Sequence, residues 1–241
     1  MDEPSPPRFL PAGEAALSVE FGSDIDPLLS ARVGALDAAL AAHPVAGIVE
    51  TVPTYRSLLI HFDSRLLSTA DLIEAIRDLA SAPVSSQAAR KSWIIPACYD
   101  PSHAEDLAET ASTLGLPGPE IAKLHAGATY RVYMYGFAPG YVFLGGLPPE
   151  LNISRRAAPR PPVPAGALLI AGGQALIGHN PMPTGWYHIG RTPVTTFDAA
   201  RQPPCFIGIG DEIHFEPIDA ASFANLEIAA REGAQIARCL P

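Results

Sequence analysis

The chain has 241 residues, enough for one large domain or two small ones with a sizeable core. Hydrophobic residues make up 48% and charged residues 17%, with a formal net charge of −9. This argues for a globular protein and against a nucleic-acid or anionic-membrane partner, since either would draw on basic patches.

In chain order, residues 1–13 are Pro-rich and read as a loose lead-in whose acidic start, Met1-Asp-Glu-Pro, lacks the apolar stretch of a signal peptide. Ala15–Phe21 reads as a strand. Asp26-Pro27 supplies an N-cap and an N1 proline for a helix whose apolar positions are Leu29, Val33, Leu36 and Leu40. Ile48–Val52 and Ser57–Phe62 read as strands around a turn at Pro53–Arg56. Ser68 with Asp71 resembles a capping box opening a helix that buries Leu72, Ile73, Ile76 and Leu79. Residues 14–80 thus form a β-α-β-β-α unit, followed by a linker at Ser81–Ala89.

In the second region Trp93–Tyr99 is strand-like. Ser102 with Glu105 reads as a capping box for a helix carrying Leu107, Ala111 and Leu114, and Pro119 starts a short helix through His125. After Tyr130, short strands separated by Gly and Pro are expected at 130–135, 166–171, 174–179, 185–190, 193–197 and 212–218, the pattern of a β-barrel or sandwich. Ala220–Arg231 reads as a closing helix. The three cysteines, Cys98, Cys205 and Cys239, form no CxxC pair. Their odd count points away from a disulfide framework and toward a reducing cytoplasm. No apolar run reaches the roughly 18–20 residues that span a bilayer.

Several chemical signatures are missing. The sequence has no G-x-x-x-x-G-K-[ST] phosphate loop, no HExxH or Cys/His cluster for a metal, no G-x-S-x-G elbow and no Met-Lys-Met biotin tripeptide. The densest feature is Tyr133 through Pro149, with five aromatics, four glycines and three prolines. Such a run demands a particular irregular backbone and can build either a pocket wall or a tight barrel corner. As a pocket it would offer Tyr135, Gly136, Phe137, Pro139 and Gly140 to a small planar substrate.

Arg155 and Arg160, the latter framed by Pro159 and Pro161, present guanidinium forks suited to a carboxylate, or a solvated basic loop. Gln174 follows two glycines between apolar strands, where its amide satisfies either backbone or a substrate amide. Arg191 and Thr192 stand at a strand break, as a second anion contact or a plain turn. His125 lies on an apolar helix face near Tyr130, as a core residue or as a base. His179 and His188 flank a Pro-rich segment and could meet across a hairpin, without a third metal ligand.

Gly47–Ile60, Leu124-His125, Tyr133–Gly140, Arg155–Arg160, Gly166–Gln174 and Gly185–Pro193 together resemble the family of the 5-oxoprolinase B subunit, the sporulation-kinase inhibitor KipI and allophanate hydrolase subunit 1. The likeness covers residues 12–218. It implies an α+β protein with a small N-terminal domain at 12–82, a cyclophilin-like β-barrel at 90–218 and a C-terminal helix and tail at 219–241. It also implies a homologous larger partner (the KipA-like C subunit of 5-oxoprolinase), a lactam-handling third component (its A subunit), and ATP used by the complex with no cofactor bound by this chain. The implied reaction is ATP-dependent opening of 5-oxoproline to glutamate. The alternatives are inhibition of a histidine kinase and carboxyl transfer in a urea or allophanate pathway.

One stretch departs from the pattern. After Gln174 relatives read close to Thr-Gly-Ile-Tyr-Pro, then Ser-Pro-Gly-Gly-Trp; here stand Ala175-Leu-Ile-Gly-His179 and Met182-Pro-Thr-Gly-Trp186. Gly178 replaces an aromatic, which opens space or removes a stacking face, and Thr184 replaces a glycine. The expected site has Arg160 and Arg191 on a carboxylate and Gln174 with the Gly136–Gly140 backbone on a lactam. His125 or Tyr130 would orient them, all converging on one hollow.

Overall fold

The computed structural model describes residues 6–83 and 90–240. The chain divides into two compact units, Met1–Ala89 and Arg90–Pro241. The first unit contains β1 (Arg8–Pro11), β2 (Ala16–Glu20), α1 (Pro27–Ala42), β3 (Ile48–Pro53), β4 (Ser57–Phe62) and α2 (Thr69–Ser81). Its strands form one antiparallel sheet in the order β1-β2-β4-β3. The Asp26 carboxylate accepts from the backbone N–H groups of Leu28 (2.7 Å) and Leu29 (3.2 Å), filling orphan donors of the first turn. Alternation along β4 buries Leu58, Ile60 and Phe62. These pack with Leu17 and Val19 against Val33, Leu36 and Leu40 of α1 and Leu72 and Ile76 of α2.

The expected loose lead-in is corrected in part: Arg8–Pro11 is a strand paired with β2, from Arg8 opposite Glu20 to Pro11 opposite Leu17. Proline tolerates this place because β1 is an edge strand. Residues 84–89 of the expected linker lie outside the described residues.

The second unit begins with β5 (Ser92–Cys98), a short 3₁₀ turn (Pro101–His103), α3 (Leu107–Leu114) and α4 (Gly118–Gly127). There follow β6 (Thr129–Tyr135), β7 (Val142–Gly145), β8 (Arg160–Val163), β9 (Ala167–Ala171), β10 (Gln174–Ile177), β11 (Met182–Thr184), β12 (Tyr187–Arg191) and β13 (Glu212–Ile218). The chain closes with α5 (Ala220–Arg231) and β14 (Arg238–Leu240). Strands β12-β9-β10-β7-β6-β13-β5 form a closed seven-stranded barrel, sealed where Arg191 pairs with Cys98. Closure removes the open edges that an isolated sheet would expose. Every residue of β9 is buried. Leu168 and Ile170 face the interior, while Ala167 and Leu169 face an outer layer formed with the β8–β11 ribbon through Val163, Met182 and Trp186.

Three expectations change here. Ser102 and Glu105 do not cap a helix: Ser102 Oγ bonds His103 Nδ1 at 2.8 Å, and α3 starts behind Asp106. Glu105 instead pairs with Arg160. Residues 193–197 form no regular strand, only an isolated bridge from Phe197 to Cys205. The Tyr133–Pro149 run is the β6–β7 hairpin, with a regular strand inside it at Val142–Gly145.

Asp211 ties the barrel start to its end. Its carboxylate accepts from Lys91 N (3.1 Å), Trp93 Nε1 (2.8 Å) and Gly208 N (2.7 Å), and the residue is buried. Asp211→Ala orphans these three donors and is expected to destabilise the protein by about 3 kcal/mol in urea titrations, whereas a loss below about 1 kcal/mol would show that the donors find other partners.

Candidate substrate pocket at one end of the barrel

Strand register decides which side chains can meet. Along β9, Ala167 stands opposite Arg191 of β12, and Ala171 stands opposite Gln174 of β10. Four residues separate these points, roughly 13 Å at the usual rise per strand residue. Arg191 and Gln174 therefore occupy opposite ends of the barrel wall. Arg160 lies on the outer ribbon, where it pairs with Glu105 and, at 2.6 Å, with Asp106. The three residues do not converge on one hollow.

His125 and Tyr130 are core residues in this fold. His125 Nδ1 bonds Tyr99 Oη at 2.8 Å, its ring stacks on Phe215 at 4.8 Å, and burial lowers its pKa to about 3. Tyr130 donates its hydroxyl to the His125 carbonyl at 3.0 Å, and burial pushes the phenol far up. Arg155 is exposed beside Gly185. The neighbouring Arg156 stacks on Tyr187 at 4.2 Å and pairs with Glu109. Gln174 is half-buried at the β9–β10 turn. His188 is buried beside Asp106, whose Oδ2 accepts from its backbone N–H at 2.8 Å, and burial lowers the ring's pKa to about 4.

The Gly136–Gly140 backbone is a tight bend. The N–H groups of Gly136 and Ala138 are bonded within the loop, to Tyr141 O (3.3 Å) and Gly136 O (2.8 Å), and Pro139 has none. Tyr135 donates its hydroxyl to Ile207 O at 2.9 Å. Phe137 adopts a φ of 67° and projects outward, 76% exposed.

What does come together is the Arg191 end. Gly166 N donates to Gly178 O at 2.7 Å and Thr192 N donates to Gly166 O at 2.8 Å, joining three loops. Beside them opens a pocket of about 340 Å³ lined by His179, Asn180, Arg191, Thr192, Glu227 and Arg231. Arg191 donates from Nε to Ala165 O (2.8 Å) and from Nη2 to Glu227 Oε1 (2.9 Å), with its guanidinium 4.9 Å from the Phe223 ring. Arg231 binds the other oxygen of Glu227 at 3.0 Å. Two guanidiniums share one carboxylate, which leaves a net positive charge suited to an anion.

Gly140 reaches this pocket through His179. A Cβ on Gly140, whose φ is +77°, would stand 2.6 Å from His179 Cγ, so only glycine lets the bend approach the imidazole. Thr196 Oγ1 donates to Gly140 O at 2.7 Å and lies 3.3 Å from His179 Nδ1. Burial, then the Arg201 charge, holds His179 below the usual imidazole range, which keeps the ring neutral at pH 7.

Arg191 and Thr192 are thus the expected binding residues that line the pocket, with Gly140 beside it. The features missed in sequence are His179 as a pocket wall, and Glu227 and Arg231 on α5. A larger groove of about 970 Å³ runs between α3 and α4, walled by Tyr99, Ala104, Ala108, Ala111, Ala122 and Ala126. It holds none of the expected site residues. No helix among the described residues is long and apolar enough to cross a membrane.

An α+β N-terminal unit followed by a cyclophilin-like barrel with a polar pocket at one end defines the class. The chain belongs to the family described as carboxyltransferase domain, subdomain C and D, which matches residues 7–207. It is 32% identical over 222 residues to the 5-oxoprolinase B subunit of Bacillus subtilis, covering 88% of this chain and 92% of the relative. The 5-oxoprolinase B subunit of Escherichia coli O157:H7 is 31% identical over 205 residues, 85% of this chain and 93% of the relative. The solved structure of TTHA0988 matches at a TM-score of 0.74 and 36% identity over 84% of this chain, which spans 40% of that longer chain. Urea carboxylase of Kluyveromyces lactis matches all of this chain and 24% of its own at a TM-score of 0.81 and 18% identity, a likeness of fold.

Proposed function

We propose that the chain is a component of a cytoplasmic, ATP-dependent 5-oxoprolinase that opens 5-oxoproline to glutamate. It acts with a homologous larger subunit and a lactam-handling subunit. ATP is used by the complex, and this chain binds no cofactor of its own. The reading is carried by relatives named as the B subunit of 5-oxoprolinase that align over most of both chains. The surplus positive charge around Arg191 supports it, since 5-oxoproline is a small ring bearing a carboxylate. Arg191 would bind that carboxylate, with Thr192 closing the wall beside it.

The test is ATP-dependent glutamate formation by the chain assembled with its two partner subunits. Arg191→Ala is expected to lower kcat/KM by about a hundredfold, the scale of a lost charge-assisted contact, while Gln174→Ala stays near wild type. Full turnover by Arg191→Ala would reject the pocket. No glutamate from the assembled complex would reject the reaction.

The family's carboxyltransferase description favours a second reading, carboxyl transfer to a small amide in the same pocket. Biotin would then arrive on another chain. Carboxylation of urea by the complex supplied with a biotinylated carrier, without glutamate formation, would favour it.

A further inference from the structure

We propose that His179 Nε2 is the hydrogen-bond acceptor of the barrel-end pocket and selects ligands that carry an N–H donor next to a carboxylate. This rests on the pocket reading above and adds the ligand's second recognised group.

The hydrogen-bond network assigns the tautomer. A threonine hydroxyl has one proton, and Thr196 commits it to Gly140 O at 2.7 Å. Toward His179 the hydroxyl then offers only a lone pair. His179 Nδ1, 3.3 Å away, must be the N–H donor of that pair. In a neutral imidazole the remaining nitrogen, Nε2, is an acceptor. Among the described residues Nε2 has no hydrogen bond. Of the charged pocket groups, Arg191 and Arg231 are donors only, and Glu227 holds one guanidinium on each oxygen. The pocket therefore joins anion-binding guanidiniums to an unengaged imidazole acceptor. A lactam whose N–H and carboxylate sit on the same carbon supplies both complements within about 340 Å³.

Calorimetric titration of the full chain with 5-oxoproline, and with the lactone carboxylate in which a ring oxygen replaces the N–H, tests this. Wild type is expected to bind the lactone about ten- to a hundredfold more weakly, because an acceptor would face a lone pair. His179→Phe should bind both rings equally, and Arg191→Met should weaken both by the same factor. Equal wild-type affinity for the two rings would overturn the role of His179 and leave the pocket standing. Binding of neither ring would overturn both.

Thr196→Val, which frees the tautomer, is the second variant should His179→Phe fail to fold; it should lose most of the discrimination. Nitrogen NMR of the wild-type chain gives a readout independent of ligand. A proton on Nδ1 is expected, and a proton on Nε2 would overturn the assignment.

Discussion

Gly166→Ala is expected to destabilise the protein by about 2–5 kcal/mol and to lower the midpoint of thermal unfolding by about 10 °C. Gly166 has a φ of +77°, and a Cβ there would lie 2.1 Å from the carbonyl oxygen of Thr192. That oxygen belongs to the backbone and cannot rotate away. Left-handed strain alone amounts to about 1–2 kcal/mol, and overpacking adds about 1–3 kcal/mol. The bonds from Gly166 N to Gly178 O and from Thr192 N to Gly166 O would be displaced together, so ligand binding should fall as well. Gly172→Ala is the comparison. Its φ is +57°, but nothing lies within 4 Å of the added carbon, and a loss of about 1 kcal/mol is expected. Circular dichroism melts of the two variants decide the matter. Equal shifts would mean that conformational strain, and not the approach to Thr192, governs both.

Asp106→Ala should cost about 3 kcal/mol in equilibrium urea unfolding. Asp106 is 7% exposed, donates its N–H to His188 O at 2.9 Å and accepts from His188 N at 2.8 Å. Its carboxylate also meets Arg160 at 2.6 Å and Arg156 at 3.3 Å. Removing one partner of a buried charge cluster typically costs about 3–5 kcal/mol, because the remaining charges stay desolvated. Glu105 and Glu109 remain near the two guanidiniums and place the expected value at the lower end. Asp106→Asn keeps an acceptor for His188 N and should lose less, about 1–2 kcal/mol. A loss below about 1 kcal/mol for the alanine variant would show that the flanking glutamates suffice.

The parts of the fold set by local chemistry were legible in the sequence. Asp26-Pro27 starts α1, Ser68 starts α2 with its hydroxyl on Asp71 N, and the alternation of Leu58, Ile60 and Phe62 marks β4. The parts set by distant partners were not. Glu105 sits at the right spacing to cap a helix, yet Arg160 claims it from 55 residues away. Arg160, framed by Pro159 and Pro161, reads as a carboxylate fork or a solvated loop, but the segment is a ribbon strand on the barrel's outer face.

The expected site failed at its register-dependent step. Spacing cannot tell that Gln174 and Arg191 flank opposite ends of β9. The His125 expectation left its core reading open, and the ring belongs to the barrel interior. His179 lies in the stretch that departs from the relatives' pattern, one residue after Gly178. Glu227 and Arg231 could not be found at all without seeing α5 return beside Arg191.

The barrel's first strand lies in parallel beside its last, with Ser92 opposite Glu212. Ribosomal synthesis delivers these two segments far apart in time, so the greasy interior gapes along one seam until residues 212–218 have left the exit tunnel. The sheet of the first unit joins strands near one another in sequence and can mature meanwhile, whereas the barrel wall that carries Arg191 and His179 stays open until its late strand arrives.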